Sequence, residues 1–102
     1  MRVQMTFDDT TVQSAGYKRQ DIEHTVKSAF AKYGLPCRSE QDTLIFEDNG
    51  REDDYAYLWK VILSLLRSPW FVACASSCTF IDDDDSEEDV LSQAWKVQRR
   101  MA

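Results

Sequence analysis

Seven of the eight residues from Asp82 to Asp89 are carboxylic acids: Asp82, Asp83, Asp84, Asp85, Glu87, Glu88 and Asp89, interrupted only by Ser86. Residues of this type at this density can do three things: imitate the phosphates of a nucleic acid, hold a divalent cation, or solvate a loop. The cation reading meets the spacing rules of a calcium loop badly. Counting from Asp82, the sixth position is Glu87 where a turn glycine is needed, and the twelfth is Gln93 where a bidentate glutamate is needed. Carboxylates also end two earlier apolar runs, at Asp8-Asp9 and Glu47-Asp48, and Glu52, Asp53 and Asp54 follow closely. Acids from several strand ends are what a magnesium-dependent hydrolase uses. No histidine cluster or suitably placed lysine accompanies them, so this reading ranks third.

Other chemistries lack their residues. His24 is the single histidine and its helical position puts it on a wet face. Ser76, Ser77 and Cys78 therefore have no nearby base, and no Gly-x-Ser-x-Gly turn is present. The three glycines stand apart, so no loop cradles a phosphate. Cys37, Cys74 and Cys78 are an odd number in apolar or small-residue surroundings, which predicts buried, reduced thiols. The reading is of a protein that is not an enzyme and takes no cofactor or metal.

Charge then carries the functional argument. Residues 1–81 hold a net −2, whereas residues 82–102 hold a net −4 out of the total −6. Direct binding to nucleic acid or to an anionic membrane is disfavoured at this balance, and a basic protein surface is the natural partner. The expected docking surface is Asp82, Asp83, Asp84, Asp85, Glu87, Glu88 and Asp89, with Glu47, Asp48, Glu52, Asp53 and Asp54 as a second patch.

The elements that must position these acids follow from periodicity. The 102 residues, 43% hydrophobic, predict one domain with a modest core, spanning residues 1–102. Val3, Met5 and Phe7 alternate as a half-buried strand, followed by a polar loop from Thr10 to Tyr17. Ile22, Val26, Ala29, Phe30 and Tyr33 repeat as an amphipathic helix, which Gly34-Leu35-Pro36 should stop in a left-handed turn. Thr43 to Phe46 reads as a second strand. Tyr55, Leu58, Trp59, Val61, Ile62, Leu65 and Leu66 cover much of a central helix that ends at Arg67-Ser68-Pro69. Cys78 to Ile81 reads as a third strand, while Trp70 to Ala75 fits either a short helix after Ser68-Pro69 or another strand. From Glu87 onward, Val90, Leu91, Ala94, Trp95, Val97 and Met101 predict a last helix, with Lys96, Arg99 and Arg100 near its end.

The expected architecture is α+β: a mixed or antiparallel sheet of three to four strands carrying three helices on one face, in the order βαβα(β)βα. Leu58, Ile62, Leu65 and Leu66 should meet Ile22, Val26, Phe30, Met5, Phe7, Ile45 and Phe46 in the core. Parallel neighbouring strands would gather the acidic tips on one edge of the sheet; a mixed sheet would divide them. No run is apolar enough for a membrane span and no secretory signal is evident, so the expected compartment is the cytoplasm.

The segments Val3-Gln4-Met5-Thr6-Phe7-Asp8-Asp9 and Ala29-Phe30-Ala31-Lys32-Tyr33-Gly34-Leu35, about a third of the chain together with what lies between them, resemble small proteins of phages and conjugative elements. The overall profile, small, acidic, aromatic-rich and without a catalytic set, is similar to that of anti-CRISPR proteins and other inhibitors of host defence. That resemblance implies an inhibitor docking on a basic, nucleic-acid-handling effector. These groups share a way of life rather than a fold, so no residue role transfers. Toxin-immunity proteins fit the same profile and are the alternative.

Overall fold

The period-two alternation at the start of the chain sets the centre of the molecule. In the computed structural model, which describes residues 1–92, Arg2–Phe7 forms strand β1, with Val3, Met5 and Phe7 buried. It is the middle strand of a five-stranded antiparallel sheet. Cys37–Glu40 is β2, Thr43–Glu47 is β3, Ala75–Ile81 is β4 and Glu87–Asp89 is β5, and their order across the sheet is β2-β3-β1-β4-β5. The α+β class and the antiparallel sheet expected from the sequence are therefore present, with five strands rather than three or four. The two added strands are the short edges.

Four helices lie wholly within the described residues: α1 (Asp9–Ser14), α2 (Arg19–Ala31), α3 (Asp54–Leu66) and α4 (Pro69–Cys74). The stretch from Thr10, expected as a loop, begins inside α1 because Asp8 caps it. The Asp8 carboxylate accepts from the backbone N–H groups of Thr10 and Thr11 at 2.9 and 3.4 Å, which satisfies two orphan donors of the first turn. The open choice over Trp70 to Ala75 resolves as helix, with Pro69 at its first turn, where a missing N–H costs nothing. The chain turns into β4 at Ala75, three residues earlier than expected.

The helices close over one face of the sheet. Ile22, Val26 and Phe30 of α2 and Leu58, Ile62 and Leu65 of α3 share a single cluster with Val3, Met5, Leu44, Phe46, Cys78 and Phe80. Phe30 stacks on Phe46 with ring centroids 3.9 Å apart. Ile45, expected in this cluster, is buried as expected but does not join it. Ile45 sits opposite Gln4 in the register, and strand neighbours face opposite sides, so Leu44 and Phe46 take the core positions. Leu66 is only half-buried, at the rim. Gly34, at φ 71°, ends α2 as the sequence predicted, and the Leu35 N–H returns to the Phe30 carbonyl at 3.2 Å while its side chain is buried.

Two further expectations are corrected. The last helix, expected from Glu87, begins at Val90 instead: Glu87 to Asp89 pair with β4, and residues 90–92 are helical. Cys37 is exposed, because it lies on the outer edge strand, whereas Cys74 and Cys78 are buried thiols. The expected helical positions Ala94, Trp95, Lys96, Val97, Arg99, Arg100 and Met101 lie outside the described residues.

Candidate docking surface

Strand direction decides where the acids go. β3 and β4 both run antiparallel to β1 and flank it, so they are parallel to each other across it. Their acidic C-terminal tips therefore meet at the N-terminal end of β1, and the Asp8-Asp9 tip lies at the other end. The Met1 ammonium bridges the two gathered tips, donating to Asp48 Oδ1 at 3.1 Å and to Asp83 Oδ1 at 2.6 Å. These hydrogen bonds raise its pKa above the ordinary amine value: Asp83 acts most strongly, burial opposes it, and Asp48 adds to it.

The acidic run is a tight hairpin rather than a slack loop. The Asp82 N–H donates to the Ser86 carbonyl and the Asp85 N–H to the Asp82 carbonyl, both at 3.0 Å. Asp85 adopts φ 64°, a left-handed conformation that aspartate tolerates better than most side chains. Asp82 Oδ1 accepts from the Asp83 N–H at 2.8 Å, and Asp84 Oδ1 accepts from the Ser86 N–H at 3.0 Å and from its hydroxyl. The Ser86 hydroxyl, then the Ser86 N–H, hold the Asp84 carboxyl below the usual carboxylate range. At the end of β5, Asp89 accepts from the Ser92 N–H at 3.1 Å and the Ser92 hydroxyl at 2.8 Å, capping the helical residues that follow. Asp83, Asp84, Asp85, Glu87, Glu88 and Asp89 are exposed, and Asp82 is half-buried.

The second patch divides. Glu47 and Asp48 are half-buried; Glu47 pairs with Arg38 at 3.0 Å and Asp48 faces Met1 beside the hairpin. Glu52 and Asp53 are exposed at the start of α3. Asp54 does not belong to any surface. It is fully buried, accepting from the backbone N–H of Asn49 at 2.6 Å, from that of Arg51 at 3.2 Å, and from Arg51 Nε at 2.9 Å. Burial alone would push this carboxyl up, but the Asn49 N–H and the Arg51 guanidinium outweigh it and hold it below its ordinary value. A carboxylate enclosed in this way cannot meet a partner, so Asp54 leaves the candidate surface.

Sequence reasoning missed the aromatic companions of the hairpin. Phe80, directly opposite Glu88 in the register, contacts Trp59 with ring centroids 4.9 Å apart and Tyr55 at 6.1 Å. Tyr55, expected among the residues that bury α3, is 50% exposed, so one exposed ring stands near the acidic edge, while Phe80 is buried and Trp59 half-buried. The i, i+4 spacing of Tyr55 and Trp59 was the available signal, but it needed the β4–β5 pairing to acquire meaning.

Among the described residues, no group of three or more histidine, cysteine or acidic side chains is placed to hold a metal ion, and no helix is long and apolar enough to cross a membrane. No family model matches the chain, and no significant similarity to curated proteins or to solved structures is found.

Proposed function

We propose that this chain is a cytoplasmic, non-enzymatic inhibitor that docks its acidic hairpin on the basic, nucleic-acid-binding surface of another protein, in the manner of an anti-CRISPR protein. One observation carries the reading: Asp83, Asp84, Asp85, Glu87 and Glu88 are solvent-exposed together on a hydrogen-bonded hairpin paired to the sheet, with Asp83 and Asp84 also held by local hydrogen bonds. A rigid array of like charges repels itself and costs stability, which a binding role would offset. Preorganised negative charge steers a basic partner into encounter and excludes nucleic acid from the same cleft. Tyr55, beside Phe80, would supply the apolar anchor that charge alone lacks.

The test begins by capturing the partner from host lysate and then measures association kinetics with an Asp82→Asn, Asp83→Asn, Asp84→Asn, Asp85→Asn variant. Asparagine keeps a side-chain oxygen as acceptor for the Asp83 and Ser86 donors, so the hairpin should persist. The β5 acids are left intact because charge on an edge strand also protects against strand pairing with other chains. Association should slow by about tenfold or more at low salt, dissociation should change less, and the salt dependence should flatten. Unchanged association at low salt would remove the hairpin from the mechanism. Capture of a toxin encoded beside this chain would favour the immunity-protein alternative.

A further inference from the structure

Away from the acidic edge, α2 and α3 leave a groove of about 340 Å³ between them. Its apolar lining is Ala29, Val61 and Leu65, of which Val61 and Leu65 are buried, together with the Tyr33 ring. Lys32, Lys60 and Ser64 complete the lining, and none of the lining residues is acidic. In a chain of net −6 this is a local inversion of sign.

The Tyr33 ring is held by its neighbours. Tyr33 stacks on Tyr57 with centroids 5.0 Å apart, Arg51 lies 5.9 Å above the Tyr57 ring, and Arg51 donates to the Tyr33 carbonyl at 2.5 Å. Arg51 is itself clamped to the buried Asp54. Lys60 holds its ammonium 5.6 Å from the Tyr33 centroid. Neither lysine is ion-paired among the described residues, so both charges are available to a ligand without breaking an existing bridge.

We infer that this groove binds a small organic anion with an apolar body, of the aryl or branched-alkyl carboxylate class. The apolar lining and the Tyr33 ring take the body, the two lysines take the charge, and Ser64 can donate to the same carboxylate. A concave apolar site with a few convergent polar groups is the usual form of a small-molecule pocket, and its volume is at the small end of that range. The inference uses none of the residues of the acidic hairpin and stands or falls apart from it.

Three probes separate the components: indole-3-acetate, 3-methylindole, which has the ring without the charge, and acetate, which has the charge without the ring. Each is titrated into isotope-labelled protein while amide shifts are followed. Indole-3-acetate should saturate one site, with the largest shifts at Ala29, Lys32, Val61 and Ser64. 3-Methylindole should bind there about 3- to 5-fold more weakly, the scale of an exposed ion pair, and acetate should leave those amides unmoved. A Lys32→Gln, Lys60→Gln variant, checked by its unchanged spectrum elsewhere, should bind indole-3-acetate only as well as the parent binds 3-methylindole. Equal affinity in variant and parent, saturable shifts confined to another face, or no saturation by any probe would overturn the inference.

Discussion

Asp54 occupies the first place of the buried stripe of α3, spaced four, seven, eight and eleven residues before Leu58, Val61, Ile62 and Leu65. A carboxylate at that register can survive only by accepting hydrogen bonds, and it organises the turn Asn49-Gly50-Arg51 in return. Because its pKa in the fold lies below the ordinary 3.8, the fold favours the ionised form. Its contribution to stability is full above that ordinary value and is lost as pH falls through the lower, folded value. Asp54→Asn should therefore destabilise the protein at neutral pH, and its deficit relative to the parent should shrink in acid. Urea melts at pH ~7 and pH ~3 test this, and a deficit that is constant with pH would refute it. The residue was legible in the sequence only as one more acid near Glu52 and Asp53; its place on the stripe was the overlooked signal. The cysteines divide in the same local way. Burial, with the charge of Asp89 adding to it, pushes the Cys78 thiol up to about 12; burial raises Cys74 and also Cys37, so access to solvent is what separates Cys37 from the other two. A thiol reagent should label Cys37 promptly in the native protein and reach Cys74 and Cys78 only on unfolding, as counted by mass spectrometry. Prompt labelling of all three would contradict their burial.

At the scale of elements, the long helices announce themselves because each supplies three or more turns of apolar repeat. Ile62 and Leu65 are 1% and 4% exposed, so truncating either to alanine should cost about 2–5 kcal/mol in thermal or urea melts. Losses well under ~1 kcal/mol at both would mean that α3 is not the central helix. The edge strands were not legible for the opposite reason. β2 is Cys-Arg-Ser-Glu with every residue exposed, and β5 is three acids. Neither carries an inward apolar face, and each exists because its neighbour offers a ladder of backbone groups. Negative charge suits such an edge, since it discourages another chain from extending the sheet. α1 escaped notice because its six residues contain one buried side chain, Val12, so its cap rather than its periodicity defines it.

At the scale of the molecule, what the sequence left open was strand direction, and direction determines the electrostatics. Only the flanking of β1 by two antiparallel neighbours brings Asp48 and Asp83 to the same amine while sending Asp8 to the far end. That gathering does not make a cation site. Asp83 is turned toward Met1, Asp84 back onto Ser86 and Asp89 onto Ser92, so the carboxylates are engaged one by one instead of converging around a common centre. Magnesium or calcium at millimolar concentration should therefore raise the melting temperature only slightly, by screening mutual repulsion, and sodium chloride at matched ionic strength should do nearly as well. A resident site would behave differently, because an ion that binds only the folded state stabilises it selectively and saturably. Calorimetry showing tight one-to-one uptake of a divalent cation would overturn this account of the acidic edge. It would also return the metal-dependent hydrolase to consideration, since a bound ion would give these carboxylates a chemistry beyond charge.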